Sequence, residues 1–582
     1  MKGYNKIKIT LLFILFIFSI NSFSQFSKTH YIPPIGTQGQ GSGTPQIQYM
    51  YISTPNENPI DVIITPIGGD PITVSISNSN PYEYFIGNGN QTNFIALSED
   101  SGQTFNNKGF IVEGEDLVYV SARLFTSDAY YQAAGLVSKG LAALGTTFRV
   151  GTFENLGDDM SNSFLNFVTV LATEDNTTVN FSDFGNGVTV VNNAPINDVI
   201  LNSGESYLIA IKPGDNINNS DGLIGVLVES DKPIAVNSGS ITGSNANTTT
   251  DSNGQDAGID QIVPVERIGT EYIFVRGIGP DQIERPLIVA HEPNTEVYVN
   301  GTLEYTIAQA GEHWSVPSSF YGVSYDQYGQ GPDIGVSSNM YVETSKPVFA
   351  YQVIGGIRPG TEGPFGAGTG IPNQGLFFVP PINCQTPSIV NNIAAINKLG
   401  PDFAFGGVVT IVTETGSTVL INGNDISDFA GDVQPVNGNP LFETYTVEGL
   451  TGNVSIVSSS QVYVASFGAY DYATFGGYYS GFAYKPEIVL EEITVGSEGC
   501  IPNLELRLNS ISIFDQYQWY FNGEMIDGAI GNSFTPTEPG YYQISGAVDD
   551  CEGILLSDNI PVSACPPDTD FDGVNDNIDI DI

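Results

Sequence analysis

The chain has 582 residues, 64 Asp and Glu against 18 Lys and Arg, and a formal net charge of −46. Such an acidic balance argues against binding a phosphate backbone, which needs Lys and Arg to displace counterions. With 41% apolar residues, 66 Gly, 34 Pro and only 14% charged residues, this is a folded strand-and-turn composition, not that of a helical bundle, a coiled coil or a disordered polymer.

The N-terminus reads as an export signal, residues 1–24. Lys2, Lys6 and Lys8 precede an apolar run from Ile9 to Ile20 that is too short to cross a bilayer. Ser22 and Ser24 place small residues at −3 and −1 of a cut before Gln25; an uncleaved anchor is the alternative. Cleavage removes three lysines and no acid, leaving 15 basic against 64 acidic residues and a net charge of −49. The expected location is secreted or cell-surface, with no transmembrane segment in the mature chain.

Residues 25–486 carry an internal repeat. Glu174-Asp-Asn-Thr-Thr-Val179-Asn-Phe181 returns as Glu292-Pro-Asn-Thr-Glu-Val297-Tyr-Val299 and as Glu414-Thr-Gly-Ser-Thr-Val419-Leu-Ile421, in steps of 118 and 122 residues. Ser230-Asp-Lys-Pro233-Ile-Ala235 returns as Thr344-Ser-Lys-Pro347-Val-Phe-Ala350 and as Ser458-Ser-Ser-Gln461-Val-Tyr-Val-Ala465, both steps being 114. Gly145-Thr-Thr-Phe-Arg-Val150 opens one copy as Gly269-Thr-Glu-Tyr-Ile-Phe-Val275 opens the next. Phe377-Phe-Val-Pro-Pro-Ile382 matches Tyr31-Ile-Pro-Pro-Ile35, which marks a fourth, diverged copy near the N-terminus. The copies fall at about 25–143, 144–267, 268–373 and 374–486.

A unit this long is a β-lobe rather than a solenoid turn. In the third copy the expected strands are 271–276, 286–290, 296–300, 303–307, 313–316, 340–343 and 348–353, divided by Gly, Pro, Asn or Asp. Asn300-Gly301 and Asn422-Gly423 are expected to turn hairpins. Ser-Asp-Lys-Pro is expected to turn the chain into a new strand. The one helix candidate is Ala133–Leu144. The expected fold is all-β: sandwich-like or propeller-like lobes in series, followed by a small β-sandwich.

Ser230-Asp-Lys-Pro-Ile-Ala-Val236, followed by Asp260-Gln-Ile-Val-Pro-Val265 and Gly269-Thr-Glu-Tyr272, resembles the N-terminal domain of immunoglobulin G Fc-binding proteins. The resemblance covers roughly residues 27–485. It implies an extracellular binding or adhesion module without catalysis, whose partner is an extracellular protein or glycan. Unlike the animal members, this chain has only Cys384 in that region.

Residues 487–566 resemble an immunoglobulin-like or polycystic-kidney-disease-like sandwich of bacterial surface proteins, with Trp519 in Gln518-Trp-Tyr-Phe-Asn-Gly523. Four cysteines allow three full connectivities. The resemblance implies a Cys500–Cys551 bridge beside the buried Trp519, leaving Cys384 and Cys565 free or paired with each other.

Residues 567–582 carry the sharpest chemical pattern. Asp568, Asp570 and Asp572 fall at positions 1, 3 and 5 of a calcium loop, Gly573 at 6, Val574 with its carbonyl at 7, Asp576 at 9 and Asp579 at 12. Alternating aspartates supply the convergent oxygens that a hard cation needs. The segment also resembles a thrombospondin type 3 repeat, and calcium binding is expected with further repeats and a sorting domain beyond residue 582. A solvated acidic tail is the alternative.

No catalytic pattern stands out. The three histidines, His30, His291 and His313, form no zinc motif. There is no nucleophile elbow or phosphate-binding loop. Acidic pairs such as Asp158-Asp159 and Glu491-Glu492 are what a chain this acidic must contain. His291 and His313 are read as ordinary strand or surface residues, and Tyr470, Tyr472, Tyr478 and Tyr479 as strand packing. The expected function is adhesion or recognition of an extracellular glycoprotein or polymer. A calcium-rigidified stalk is the first alternative, and a glycan-processing enzyme the second.

Overall fold

A computed structural model describes residues 27–39, 44–125, 132–156, 164–245, 256–277, 279, 281–324, 338–355, 374–429, 433–470, 473–482, 486–492, 500–509, 514–548, 551 and 554–565. Residues 1–24 and the aspartates from Asp568 to Asp579 lie outside them. No helix among the described residues is long and apolar enough to cross a membrane. The described residues form two compact units, 27–482 and 486–565. Both are all-β, and the only helical elements among the described residues are short 3-10 turns.

The larger unit consists of four lobes of one topology. Each is organised by a long strand whose two halves pair with different neighbours. In the first three lobes this strand is Phe110–Phe125, Leu227–Gly243 and Asn339–Gly355. In the third, Val297 pairs with Thr344 on one side of the bend and Ala290 with Val348 beyond it. Thr344-Ser-Lys-Pro347 therefore does not end one strand and begin another. Gly269 pairs with Val348 while Glu271 pairs with Glu343, so the motif is a bulge inside a continuous strand. Ser230-Asp-Lys-Pro233 does the same, with Gly145 opposite Ile234 and Thr147 opposite Glu229. Proline is tolerated there because a bulge leaves its missing N–H unneeded. In the fourth lobe the bend opens into a break, and Val454–Ser458 and Val462–Tyr470 are separate strands.

Asn300-Gly301 and Asn422-Gly423 are two-residue hairpin turns with positive φ at both residues, as their chemistry dictates. The segment read as a helix, Ala133–Leu144, is instead the strand Ala133–Val137 and a 3-10 turn at Gly140–Ala143. The small, uninterrupted apolar residues Ala133–Val137 suit a crowded strand rather than a helix face.

That crowding defines the fold. Each lobe ends in an inner strand: Ala133–Val137, Asp256–Ile262, Gln374–Phe378 and Ala473–Tyr478. Each inner strand packs on the next, and the fourth returns to the first, so the lobes close into a ring. Space at this hub is minimal. A Cβ on Gly258 would lie 2.4 Å from the Phe153 ring and 2.7 Å from Leu376, and one on Gly477 would lie 2.6 Å from Val137.

The hydrophobic clusters straddle lobes instead of filling them singly. Phe167 and Leu208 of the second lobe pack with Ile35 and Phe94 of the first, while Val168 and Ile209 pack with Val289 and Tyr351 of the third. Leu165–Ala172 and Ser206–Ile211 are accordingly buried at every residue, the pattern of a sheet covered on both faces.

Two carboxylates on one hub strand bind all four lobes. Asp256 Oδ1 accepts from Ala133 N of the first lobe (2.9 Å), and its Oδ2 accepts from Thr474 N of the fourth (3.0 Å). Asp260 receives Lys139 Nζ of the first lobe at 2.7 Å on both oxygens and Phe378 N of the third at 2.8 Å. Both side chains of the Lys139–Asp260 pair are 0–1% exposed. Burial lowers the Lys139 pKa and raises that of Asp260; their mutual attraction opposes both shifts, and the backbone N–H groups of Phe378 and Gln261 oppose that of Asp260. Ring closure between the first and fourth lobes uses Arg123. Its guanidinium donates to Ala394 O, Ala395 O and Lys398 O at 2.7–2.9 Å and lies 4.1 Å from the centre of the Tyr51 ring.

The smaller unit is a three-stranded and a five-stranded sheet around fully buried Trp519, which stacks on Phe534. The bridge implied between Cys500 and Cys551 is not formed. Cys500 pairs with Cys565, because Ile501 and Ala564 are bridge partners and bring their neighbours to a Cα separation of 5.0 Å. There are no free cysteines among the described residues.

Replacing Lys139 by Met leaves the Asp260 charge buried without its partner and is expected to cost about 3–5 kcal/mol. Lys139→Met with Asp260→Asn keeps an acceptor for the backbone N–H groups and should recover most of that loss. Urea denaturation of the four members of this double-mutant cycle checks it.

Candidate functional site

Between the second and third lobes lies a cavity of about 330 Å³. The second lobe supplies Asp183, Phe184, Gly185 and Asn186 from the turn after strand Thr177–Ser182, together with Asp221, Gly222 and Ile224. The third supplies Ala310, Gly311, Glu312 and His313 at the start of strand His313–Ser315. The turns meet backbone to backbone. Gly225 has φ +82°, and a Cβ there would fall 1.7 Å from Gly311 O. Only glycine permits that approach.

Arg149 lies beneath this contact. A Cβ on Gly311 would meet its Nη1 at 2.8 Å. Nη1 donates to Asp183 Oδ2 (2.9 Å) and Gly225 O (2.7 Å), while the buried Nε has no hydrogen-bond partner. Tyr351 of the third lobe donates its hydroxyl to Arg149 O at 2.8 Å. Deeper in the same interface, Glu154 faces Arg285 Nη2 at 2.9 Å and His313 Nε2 at 3.6 Å. Burial pushes the Glu154 carboxyl up, but His313 and Arg285 outweigh it and hold the pKa below the ordinary carboxylate value.

The cavity is therefore lined by three carboxylates. Asp183 is neutralised from below by Arg149. Glu312 Oε2 accepts from Gln309 N at 2.9 Å. Among the described residues the side chains of Asp221 and Asn186 make no hydrogen bond or ion pair to the protein. Among the described residues no three His, Cys, Asp or Glu side chains converge as a metal site.

The histidines separate. His313 faces Glu154, whereas His291 lies edge-on to Phe349 at 6.4 Å, its pKa lowered by burial and by Arg149. His30 is at the hub, where Nε2 donates to Val118 O (3.0 Å) and Nδ1 lies 2.9 Å from Ser138 Oγ. Tyr478 and Tyr479 are buried packing residues. The residues expected to bind calcium, Asp568, Asp570, Asp572, Val574, Asp576 and Asp579, like Asp158-Asp159, lie outside the described residues. The cavity residues themselves carry no signal along the chain, since Asp, Asn and Gly in turns are ordinary.

The sequence profile of the IgGFc binding protein family matches residues 134–468, more than half of the chain. The chain belongs to that family. The match begins in the first hub strand and runs through the second and third lobes into the fourth, so it includes both walls of the cavity. Proteins of this family are extracellular binding proteins. No curated protein matches the chain. Among solved structures, Sidekick-1 immunoglobulin domains 1–5 align with 92% of this chain and 100% of that one at 8% identity, with a TM-score of 0.10. A likeness at that score carries no argument.

His30 is neutral in the fold because burial takes its pKa from 6.5 to about 4. A depressed folded value means that its stabilising contribution is complete above the unfolded pKa and is lost as pH falls through the folded one. Between pH 7 and pH 4 the protein should lose about 3 kcal/mol more stability than a His30→Gln variant, as read by urea denaturation across a pH series.

Proposed function

We propose that this protein is an exported adhesion protein that recognises an extracellular glycoprotein or polymer through the four-lobed ring, without catalysis. Membership of the IgGFc binding protein family carries the reading. The geometry agrees with it. The buried charges Lys139, Asp256, Asp260 and Arg123 hold lobes together, which makes the ring a rigid platform for surface turns. Secretion by the leader 1–24 is part of the proposal. So is calcium at Asp568, Asp570, Asp572, Val574, Asp576 and Asp579, where it would stiffen the segment after the smaller unit.

The test is an array of extracellular glycoproteins and glycans probed with the mature chain, with and without a chelator. Saturable binding that survives chelation and leaves the ligand chemically unchanged is expected. Absence of binding to every ligand, or turnover of a bound glycan, contradicts the reading. Calcium titration should show saturable uptake that Asp570→Asn with Asp572→Asn abolishes; equal uptake by that variant removes calcium from this segment.

A further inference from the structure

We propose that the cavity between the second and third lobes is a saccharide pocket taking one uncharged or amine-bearing sugar ring at the end of a glycan. This rests on the reading of the chain as a binding protein and names a ligand class and a site for it. About 330 Å³ is at the small end of ligand pockets, which run from about 300 to 1,000 Å³.

The lining selects for hydrogen-bond donors. Asp183, Asp221 and Glu312 are acceptors only, and each carboxylate takes several hydroxyl or ammonium donors. Asp183 is held through Oδ2 by Arg149, so its position is fixed before a ligand arrives. The side chains of Asp221 and Asn186, with no protein partner among the described residues, are available to a ligand. Asn186 adds both a donor and an acceptor, the pairing that adjacent ring hydroxyls satisfy.

The remaining lining fits a ring's apolar face. Phe184, half-buried, and buried Ile224 give the cavity a hydrophobic wall, and Gly185, Gly222 and Gly311 let the lining turns pack closely. Gly222 cannot be replaced quietly, since a Cβ would fall 2.2 Å from Val188 and 2.4 Å from Asn218 O. An anionic sugar would bring a fourth negative charge among three carboxylates of which only one has an adjacent arginine. Like charges at that range repel, so acidic sugars are refused. The absence of three converging ligating side chains among the described residues argues against a divalent cation as occupant.

The mature protein is to be titrated, by saturation-transfer NMR and calorimetry, with the methyl glycosides of glucose, galactose, N-acetylglucosamine and glucosamine. N-acetylneuraminic acid, glucuronic acid and N-acetyl-lysine amide serve as comparison probes. Binding of at least one neutral or amino sugar is expected, with no binding of the acidic ones. Asp221→Ala should weaken it at least tenfold, Phe184→Ala should weaken it, and Ala310→Trp should fill the cavity and abolish it. Each variant is checked for an unchanged melting temperature; Glu304→Gln, on the exposed strand Thr302–Ile307, is the control expected to bind as the parent does.

Sugar binding that is equal in parent and Asp221→Ala, a preference for acidic sugars, or binding of the lysine probe alone overturns the pocket. If the chain binds an extracellular protein but no saccharide, the pocket fails and the adhesion reading stands. If it binds nothing at all, both fail.

Discussion

The ring depends on a single strand, Asp256–Ile262, whose two carboxylates face the hub. Side chains alternate along a strand, so residues 256, 258 and 260 share one face. That face presents Asp256 to the first and fourth lobes, Gly258 to the crowded centre, and Asp260 to the first and third. A buried carboxylate is costly unless it is paired and hydrogen-bonded, and here each oxygen has a donor from another lobe. Removing one lobe would leave these groups unsatisfied, so the cost of a missing lobe is local and large.

The apolar packing works in the same direction. Sheets buried on both faces cannot be stable as free lobes, because one face of each would be left open to water. Leu165–Ala172 has its alternate side chains in two different clusters, one shared with the first lobe and one with the third. The repeat is thus a repeat of topology whose units are not independent domains. Surface turns between lobes inherit this rigidity, and the cavity walls at Asp183 and Glu312 are held by Arg149 and by the Gly225–Gly311 contact.

Much of the secondary structure was legible along the chain because turns carry local chemistry. Asn300-Gly301 and Asn422-Gly423 adopt positive φ wherever they stand, and the alternating strands of the third copy lie within a few residues of the expected positions. What escaped depends on distant partners. Nothing local to Thr344–Pro347 says whether proline turns the chain or sits in a bulge; that is decided by Gly269 and Glu271 pairing across it. Ala133–Leu144 looked helical only because the strands that crowd it were unknown. Cys500 faces Cys565 through the bridge between Ile501 and Ala564, a contact that a Trp-centred pattern does not encode. The cavity joins residues some 130 positions apart, each unremarkable in its own turn.

Ring closure makes all four hub strands one cooperative unit. Hydrogen exchange of the mature protein, read by mass spectrometry, tests this most directly. The amides of residues 133–137, 256–262, 374–378 and 473–478 should be the slowest of the larger unit and should exchange in a single correlated opening. Hub strands that open at separate rates, lobe by lobe, would contradict the account.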